Sequence, residues 1–308
     1  MFIIYINDIG RELQNKLRLF ADDAVVYRQV MSKSDEESLQ KDLDKLWEWA
    51  VRNGMKFNVN KCQVVKYSNG KQEEEPSYEM GGNRLENMEK YKYLGVVLDK
   101  KLNWNDHVDA VTKKATRNMN FVMRSLEGAT TEVKEKAYLT LIRPIAEYAG
   151  AVWDPHKVGQ IRKIEGIQRW AARRVTGKLR RRKWVIQDRK REGINIRLIR
   201  VPESGTEMIK GLGWKSLKDR RREMRLCNFF KAYSGQVGWD DIGHRIGTPS
   251  YLGRKDHGEK VKIIESRRDV GKYSFIRRTI CDWNRLDENK ITPLPGDLYK
   301  FKIRLQTR

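Results

Sequence analysis

Two adjacent aspartates interrupt a run that is otherwise apolar and rich in strand-forming residues, and no other feature constrains the fold as much. Asp22 and Asp23 lie between the segments 17–20 and 24–27. Neighbouring carboxylates repel each other and are rarely buried unless a cation holds them. Because successive strand residues face opposite ways, only a tight turn at the pair would bring both carboxylates to one ion. The pattern predicts a short β-hairpin with the acidic pair at its tip.

Two interpretations of this acidic pair are open. Mg²⁺ takes oxygen ligands, and two such ions about 3.5–4 Å apart can stabilise the attacking and leaving oxygens of a phosphoryl transfer. An acidic pair between two apolar runs is also typical of an ordinary surface turn. The residues around the pair decide between these interpretations.

The surrounding motifs resemble those of a known family. The run Phe20-Ala21-Asp22-Asp23 follows Tyr5-Ile6-Asn7-Asp8, and other motifs come later in the same order as in that family. These later motifs lie at 46–49, 57–62, 93–104, 164–173 and 273–284. Together they resemble the reverse transcriptases of non-LTR (LINE-type) retrotransposons, and the resemblance extends almost from the first residue to the last.

This resemblance implies an RNA-directed DNA polymerase that uses an RNA template, a DNA primer and dNTPs. It implies that Asp22 and Asp23 are catalytic residues that bind Mg²⁺ or Mn²⁺, while Asp8 is structural. It also implies that Lys61 helps to protonate the leaving pyrophosphate. The alternative for Lys61 is a solvated or phosphate-contacting lysine, since general acid catalysis needs a donor within hydrogen-bond reach.

Gly95 lies in a segment that the resemblance identifies as the primer grip, where the main chain holds the 3′ end of the primer. Glycine inside the predicted strand 91–98 indicates a close approach of another backbone. Gly81 and Gly82 predict a two-residue hairpin turn just before it, because glycine adopts the positive φ angles that such turns require. The alternative role for this region is a structural connection.

The family's third catalytic aspartate and its fingers precede the first motif found in this sequence. We therefore expect the polymerase site of this chain to be incomplete, and the chain alone to have little or no polymerase activity. The alternative function is a remnant that binds nucleic acid without catalysis. A structural protein with incidental charge fits the ordered motifs poorly.

Charge composition favours nucleic acid as the partner. The chain has 64 Lys and Arg against 41 Asp and Glu, a net charge of +23. This excess suits a polyanion, either nucleic acid or an anionic membrane surface. A membrane binder would need a long apolar stripe or anchor, which the sequence lacks, whereas basic residues interleaved with aromatic ones are typical of nucleic-acid binding.

The cysteines and the N-terminus predict an intracellular protein, in the nucleus or the cytoplasm. Cys62, Cys227 and Cys281 are far apart and odd in number, which is typical of thiols in a reducing compartment. The apolar start ends at Asn7-Asp8 and is too short for a signal peptide or a spanning helix. No feature directs secretion.

The sequence predicts an α+β fold in three parts. Residues 1–104 are expected to form a truncated polymerase palm, with antiparallel strands and a covering helix. That helix is predicted to begin at a capping box of Ser34 and Glu37 and to end at Gly54. Residues 105–177 are predicted to form a helical thumb, and residues 178–308 a basic, partly irregular C-terminal region.

Apolar residues at helical spacing predict three helices in the thumb, which start near residues 105, 131 and 158. In the second helix Val133, Ala137, Leu141 and Ile145 are expected to face inward, and Pro144 to kink the helix. A final short helix is predicted at 277–286, with Trp283 as its aromatic anchor.

Basic residues on these helices are candidates for contacts with nucleic-acid phosphates. Arg162, Arg169 and Arg173 share one face of the third helix, and a solvated helix face is the alternative. The densest basic run follows, and its arginines Arg180, Arg181 and Arg182 predict a nucleic-acid or nuclear-localisation patch. Such runs also occur as simple linkers.

Overall fold

The computed structural model of the 308-residue chain describes residues 2–68, 75–177, 182–186, 198–202, 204–238, 246–253 and 256–306. For 182–186 and 198–202 it describes the main chain. The chain divides into two units, Met1–Asn103 and Trp104–Arg308. The mixture of helices and small, mostly antiparallel sheets is compatible with the predicted α+β class. The three-part division made from the sequence stays a prediction.

Short strands and one long helix make up the described part of the first unit. Its elements are α1 (Phe2–Tyr5), β1 (Lys16–Phe20), β2 (Asp23–Tyr27), α2 (Lys33–Arg52), a 3₁₀ turn (Val59–Lys61), β3 (Gln63–Val64), β4 (Glu79–Met80), β5 (Asn83–Arg84), β6 (Glu86–Asn87), β7 (Lys90–Tyr93) and β8 (Val96–Asp99). Strands β1–β2, β4–β5 and β7–β8 pair antiparallel, whereas β3 and β6 pair parallel.

Helix α2 supplies one side of the core of this unit, as its apolar spacing predicts. It begins at the N-cap Ser32, two residues before the predicted cap Ser34, and Asp35 occupies the third helical position. The Asp35 carboxylate accepts a hydrogen bond from the main-chain N–H of Ser32, at 2.9 Å. Ser32 and Asp35 therefore form the capping box, two residues before the predicted pair of Ser34 and Glu37. The buried cluster consists of Ile6, Ile9, Leu46, Trp49, Ala50, Tyr78, Met80 and Leu85.

Two predictions about smaller elements of this unit are confirmed. The turn between β4 and β5 is formed by Gly81 and Gly82, whose φ angles are +56° and +75°, as the glycine pair predicts. Asp8 is a structural residue, because its carboxylate accepts a hydrogen bond from Trp49 Nε1 at 3.2 Å. That bond joins the segment after α1 to helix α2.

The described part of the second unit is mainly helical. Its elements are α3 (Asn105–Ser125), α4 (Thr131–Ala137), a π-helical segment (Tyr138–Ile142), α5 (Arg143–Glu147), α6 (Gly150–Trp153), α7 (Val158–Val175), β9 (Arg182–Ile186), β10 (Leu198–Pro202), α8 (Gly205–Gly211), α9 (Leu217–Tyr233), α10 (Asp269–Lys272), α11 (Phe275–Trp283), α12 (Glu288–Ile291) and α13 (Leu298–Gln306). Strands β9 and β10 pair antiparallel. No helix of the described residues combines the length and the apolar character needed to cross a membrane.

The buried face of the second helical segment differs from the predicted one. Val133 and Leu141 are 45% and 56% exposed, whereas Tyr138 and Ile142 are fully buried. Pro144, which was expected to kink the helix, is the second residue of α5, just after the π-helical segment in which the regular hydrogen-bond ladder is already interrupted.

Tyr138 explains this difference. Its ring stacks on Trp214 with 4.6 Å between the ring centroids, and its hydroxyl donates a hydrogen bond to Gln168 at 3.2 Å. A buried tyrosine contributes a large apolar area and needs a partner for its hydroxyl, and Trp214 and Gln168 supply these contacts on this face. The aliphatic positions Val133 and Leu141 face outward as a result.

The C-terminal part of the second unit contains a compact aromatic core that the sequence analysis missed. Trp283 is fully buried at the end of α11, as predicted for an anchor, but α12 and α13 follow, so this helix is not the last. Phe230 stacks on Phe301 of α13 with 4.6 Å between the ring centroids. The buried cluster consists of Leu226, Cys227, Phe229, Phe230, Val261, Ile280, Trp283, Ile291 and Phe301.

A buried charge cluster joins α9 and α11 to the residue that follows α6. The Asp154 carboxylate accepts hydrogen bonds from Arg221 Nε at 2.8 Å and from Arg225 Nε at 3.0 Å. Arg278 Nη2 lies 3.0 Å from the same carboxylate, and Arg225 also pairs with Asp282 at 2.8 Å. Burial lowers the pKa of Arg278, but the neighbouring Asp154 opposes this effect and favours the charged form.

Candidate metal site and nucleic-acid surface

The acidic pair lies at the tip of the β1–β2 hairpin, as the sequence predicts. Phe20 pairs with Asp23, so the two-residue loop is formed by Ala21 and Asp22. The turn is therefore one residue earlier than the predicted turn at Asp22-Asp23, and Asp23 is the first residue of β2. Ala21 adopts a φ of +52°, the sign that hairpin loops of two residues require. Both aspartates are exposed to solvent.

One cross-strand pair of this hairpin packs into the core of the first unit. Leu17 and Val26 are directly opposite each other and contact the buried cluster that includes Leu46 and Trp49. Phe20 at the loop is 61% exposed. The core therefore holds the open end of the hairpin, where the chain enters β1 and leaves β2, while the acidic tip is exposed to solvent.

A buried carboxylate holds the segment that leads into β1. Asp42 of α2 is fully buried, and it accepts hydrogen bonds from the main-chain N–H groups of Gln14 and Asn15 at 3.0 Å and 2.7 Å. It also accepts one from Asn15 Nδ2 at 2.8 Å. Asp42 was not among the functional residues predicted from the sequence. The available signal was an acidic residue at i+3 from Leu39 and i−4 from Leu46, on the apolar face of the helix.

Arg28, which follows β2, extends these bonds to the start of α2. Its Nη1 donates to Asn15 Oδ1 at 2.8 Å, and its Nε donates to Asp35 Oδ1 at 2.9 Å. Hydrogen bonds from the main-chain N–H of Met31 and from Arg28 lower the pKa of Asp35 to about 2. We call Asn15, Arg28, Asp35 and Asp42 the hairpin-base network.

Gly95 lies in the loop of a second hairpin rather than inside a strand, which corrects the sequence prediction. Tyr93 pairs with Val96, so Leu94 and Gly95 form the two-residue loop between β7 and β8. Their φ angles are +44° and +81°. Gly95 is needed for the positive φ of this turn, and the loop is exposed at the glycine.

The side chain of Tyr93 lies within electrostatic range of the acidic pair. Burial is the main cause that raises the pKa of the Tyr93 phenol, and the negative charge of Asp23 is the second. This interaction links Tyr93, the last residue of β7, to Asp23, the first residue of β2. The resemblance implies such a link, because the primer grip holds the 3′ end of the primer near the metal ions.

Lys61 ends the 3₁₀ turn and is exposed to solvent. Val59 and Cys62 on either side of it pack against the core cluster that also contacts Leu17 and Val26. Lys61 therefore belongs to the same unit as the acidic pair. Its role in proton transfer stays a prediction.

Three of the arginines proposed for phosphate contacts lie on one face of α7, at spacings of seven and four residues. Arg162 is exposed, whereas Arg169 and Arg173 are half-buried. Arg169 Nη2 donates to the main-chain carbonyl of Arg162 at 3.0 Å, and its aliphatic stem packs against Gly205 of α8. Arg162 is thus the most accessible of the three, and Arg169 is already engaged in contacts within the unit.

The basic run that follows α7 lies largely outside the described residues. Arg180 and Arg181 are outside them, and Arg182 is described only as the first main-chain position of β9. Their predicted role in nucleic-acid binding stays a prediction.

Comparisons with known proteins agree with the motifs of the first unit. Residues 1–98 match the family described as reverse transcriptase (RNA-dependent DNA polymerase). The RNA-directed DNA polymerase from mobile element jockey of Drosophila funebris is 28% identical over 162 residues, and its Drosophila melanogaster counterpart is 26% identical over 194 residues. A probable RNA-directed DNA polymerase from transposon BS of Drosophila melanogaster is 26% identical over 168 residues.

The chain is homologous to the RNA-directed DNA polymerases of non-LTR retrotransposons. The three alignments cover 51%, 61% and 52% of this chain, but only 18%, 20% and 18% of the polymerases. The chain therefore spans about a fifth of the length of these relatives. No solved structure matches the chain significantly.

The family that residues 1–98 match normally uses a divalent metal ion, and Asp22 and Asp23 are the residues predicted to bind it. Within the part of the chain that the structure describes, no three His, Cys, Asp or Glu residues lie together as a ligand group. Mg²⁺ is commonly held by one or two carboxylates, with waters and substrate phosphates as its other ligands. Asp22 and Asp23, both exposed, fit this mode of binding, and Asp42 does not because it is buried and fully engaged with main-chain donors.

Proposed function

We propose that the chain takes part in RNA-directed DNA synthesis, with Asp22 and Asp23 as the metal ligands of the polymerase site. One observation carries this proposal: two adjacent carboxylates are exposed at the tip of a hairpin within the residues that match the reverse transcriptase family. The electrostatic interaction between Tyr93 and Asp23 supports it, because it links the primer-grip segment predicted from the sequence to the acidic pair. The proposed palm corresponds to the first unit and the proposed thumb to α3–α7.

In the proposed reaction the 3′-hydroxyl of a DNA primer loses its proton to water and attacks the α-phosphate of a dNTP, and the bond between the α-phosphate and pyrophosphate breaks. Bound Mg²⁺ or Mn²⁺ would stabilise the attacking and leaving oxygens. Asp22 and Asp23 would bind the cations through ionised carboxylate oxygens. Lys61 would donate a proton to the leaving pyrophosphate, and the Gly95 loop would allow the main chain to approach the primer.

The first test of this proposal is the affinity of the chain for Mn²⁺, measured by electron paramagnetic resonance titration. We expect Asp22→Asn and Asp23→Asn each to weaken binding by about tenfold or more, because each removes one anionic ligand from an exposed site. Glu48→Gln is the matched control, since Glu48 is an exposed carboxylate of α2 in the same unit. Equal affinities of the wild type and both Asn variants would contradict the proposal.

Primer extension by the full chain tests catalysis separately from metal binding. We expect little or no extension on an RNA template, because two carboxylates of the described residues are available where the family's site uses three. Any extension that does occur is expected to disappear in Asp22→Asn. Extension that is unaffected by this substitution would rule out the acidic pair as the catalytic site.

A second candidate function is nucleic-acid binding without catalysis. It is favoured because the described residues place no third ligand beside the acidic pair, while α7 carries the arginines described above. Retention of nucleic-acid binding in Asp22→Asn, together with a Mn²⁺ affinity that neither Asp22→Asn nor Asp23→Asn changes, would support this candidate over the enzyme.

Arg162→Ala tests where nucleic acid binds. We expect it to weaken binding of a primer–template duplex and to reduce the slope of log affinity against log salt by about one, as the loss of one phosphate contact predicts. Arg285→Ala removes the same charge from another exposed position of the second unit and serves as the control. Equal effects of the two substitutions would show that net charge, rather than the α7 face, determines binding.

A further inference from the structure

We propose that Asn15 and Arg28 are positioning residues for the acidic pair: their side chains join the two ends of the Asp22–Asp23 hairpin and attach both ends to helix α2. This inference rests on the metal-binding role proposed for the pair. It adds two residues that touch neither a metal nor a substrate.

The hairpin needs such an attachment because of its construction. Strands β1 and β2 form a sheet of only two strands, and such hairpins are marginally stable on their own. Leu17 and Val26 are the cross-strand pair that packs into the core, and Phe20 at the loop is largely exposed. An exposed acidic tip on a loosely held hairpin would not keep two carboxylates in a fixed geometry.

The contact between Asn15 and Arg28 closes the open end of the hairpin. Lys16 pairs with Tyr27 as the last cross-strand pair, and Asn15 and Arg28 are the next residues on either side. Arg28 Nη1 donates to Asn15 Oδ1 at 2.8 Å. This side-chain hydrogen bond therefore continues the ladder of the hairpin by one further pair.

Both residues are attached to α2 by charge-assisted hydrogen bonds, which are stronger than neutral ones. Asn15 donates to the buried Asp42 carboxylate through its main-chain N–H at 2.7 Å and through Nδ2 at 2.8 Å. Arg28 donates through Nε to Asp35 at 2.9 Å. Asp35 and Asp42 lie on one helix, so the two ends of the hairpin are fixed to one rigid element.

Geometry of this kind matters for metal binding. Residues that orient a ligand without touching the metal commonly contribute tenfold to hundredfold to metal affinity. Strands β1 and β2 are only five residues long, so the position of the open end of the hairpin determines the position of its loop. Loss of the Asn15–Arg28 contact is therefore expected to loosen the tip, even though the tip itself is unchanged.

The test uses Asn15→Ala in the full chain. This substitution removes the side-chain bonds to Arg28 and Asp42 and keeps the main-chain bond of residue 15 to Asp42. Gln40→Ala is the matched control, because the Gln40 amide of α2 bonds to both the N–H and the carbonyl of Glu79 at 2.9 Å and so holds a different hairpin. Arg28→Lys is a milder second variant that keeps a charge for Asp35.

Amide hydrogen exchange is the first readout. We expect Asn15→Ala to speed the exchange of protected amides in β1 and β2 by about tenfold, with little change in β4 and β5. Gln40→Ala should produce the opposite distribution, and Arg28→Lys a smaller effect at β1 and β2. If amide exchange in β1 and β2 were unchanged in both Asn15→Ala and Arg28→Lys, the proposal would be overturned.

Mn²⁺ affinity is the second readout and separates this inference from the proposed function. We expect about tenfold weaker binding in Asn15→Ala and no change in Gln40→Ala. Faster exchange with unchanged Mn²⁺ affinity would overturn the positioning role, provided that wild-type binding depends on Asp22. If wild-type binding does not depend on Asp22, the proposed function fails, and hydrogen exchange alone decides whether the two residues fix the hairpin.

Discussion

Asp154→Asn is expected to lower the free energy of unfolding of the second unit by about 3–5 kcal/mol, because it removes one partner of a buried ion cluster. The Asp154 side chain is 3% exposed, and Arg221 and Arg225 beside it are 0% and 3% exposed. Among the described residues, no group accepts a hydrogen bond from Nη1 or Nη2 of Arg221. The cluster is therefore already short of negative charge, and neutral asparagine would remove the carboxylate that Arg221, Arg225 and Arg278 share.

Urea unfolding of the full chain, followed by tryptophan fluorescence, measures this effect. Asp109→Asn is the control, because Asp109 forms an exposed pair with Lys163 at 2.7 Å. An exposed pair of this kind contributes about 0–1 kcal/mol. If Asp154→Asn lowered the free energy of unfolding no more than Asp109→Asn does, the prediction would be wrong. Water would then have to solvate the arginines in place of the lost carboxylate.

Gly81→Ala is expected to destabilise the first unit by about 2–4 kcal/mol, the sum of backbone strain and overpacking. Gly81 has a φ of +56°, and a Cβ built there would lie 2.4 Å from Cζ2 of Trp47. The Trp47 ring packs against the core cluster of this unit, so it can give way only by disturbing its neighbours.

Gly82→Ala separates the two contributions in the same denaturation experiment. Gly82 has a φ of +75°, but a Cβ there would meet no atom within 4 Å. The cost of Gly82→Ala should therefore be the strain alone, about 1 kcal/mol. Equal costs for the two substitutions would show that Trp47 moves freely and that packing contributes nothing.

Local sequence rules predicted the elements whose boundaries are set by single residues. Helix α7 ends at Val175, just before Gly177, whose φ of +64° stops a helix. The glycine pair at 81–82 predicted its hairpin for the same reason, and the acidic pair that interrupts an apolar run predicted the other hairpin, with a turn one residue later than the observed one. Such signals are local, and the sequence displays them directly.

Features that depend on distant partners could not be predicted in this way. Tyr138 rather than Leu141 is buried because Trp214 and Gln168, far along the chain, offer it contacts. Asp42 is buried because main-chain donors at 14–15 approach it. The candidate site shows the same limit: the acidic pair is evident from the motif, whereas the bonds from Asn15 to Asp42 depend on the fold.

The ion cluster around Asp154 also affects the order in which the chain can fold. Arg278 donates through Nη1 to the main-chain oxygen of Asp154 at 2.6 Å, across 124 residues of sequence. Ribosomes add about 5–20 residues per second, so this contact becomes possible only several seconds after Asp154 has been synthesised. Contacts of such high sequence separation are slow to form, and the second unit should reach its native packing late, well after its individual helices have appeared.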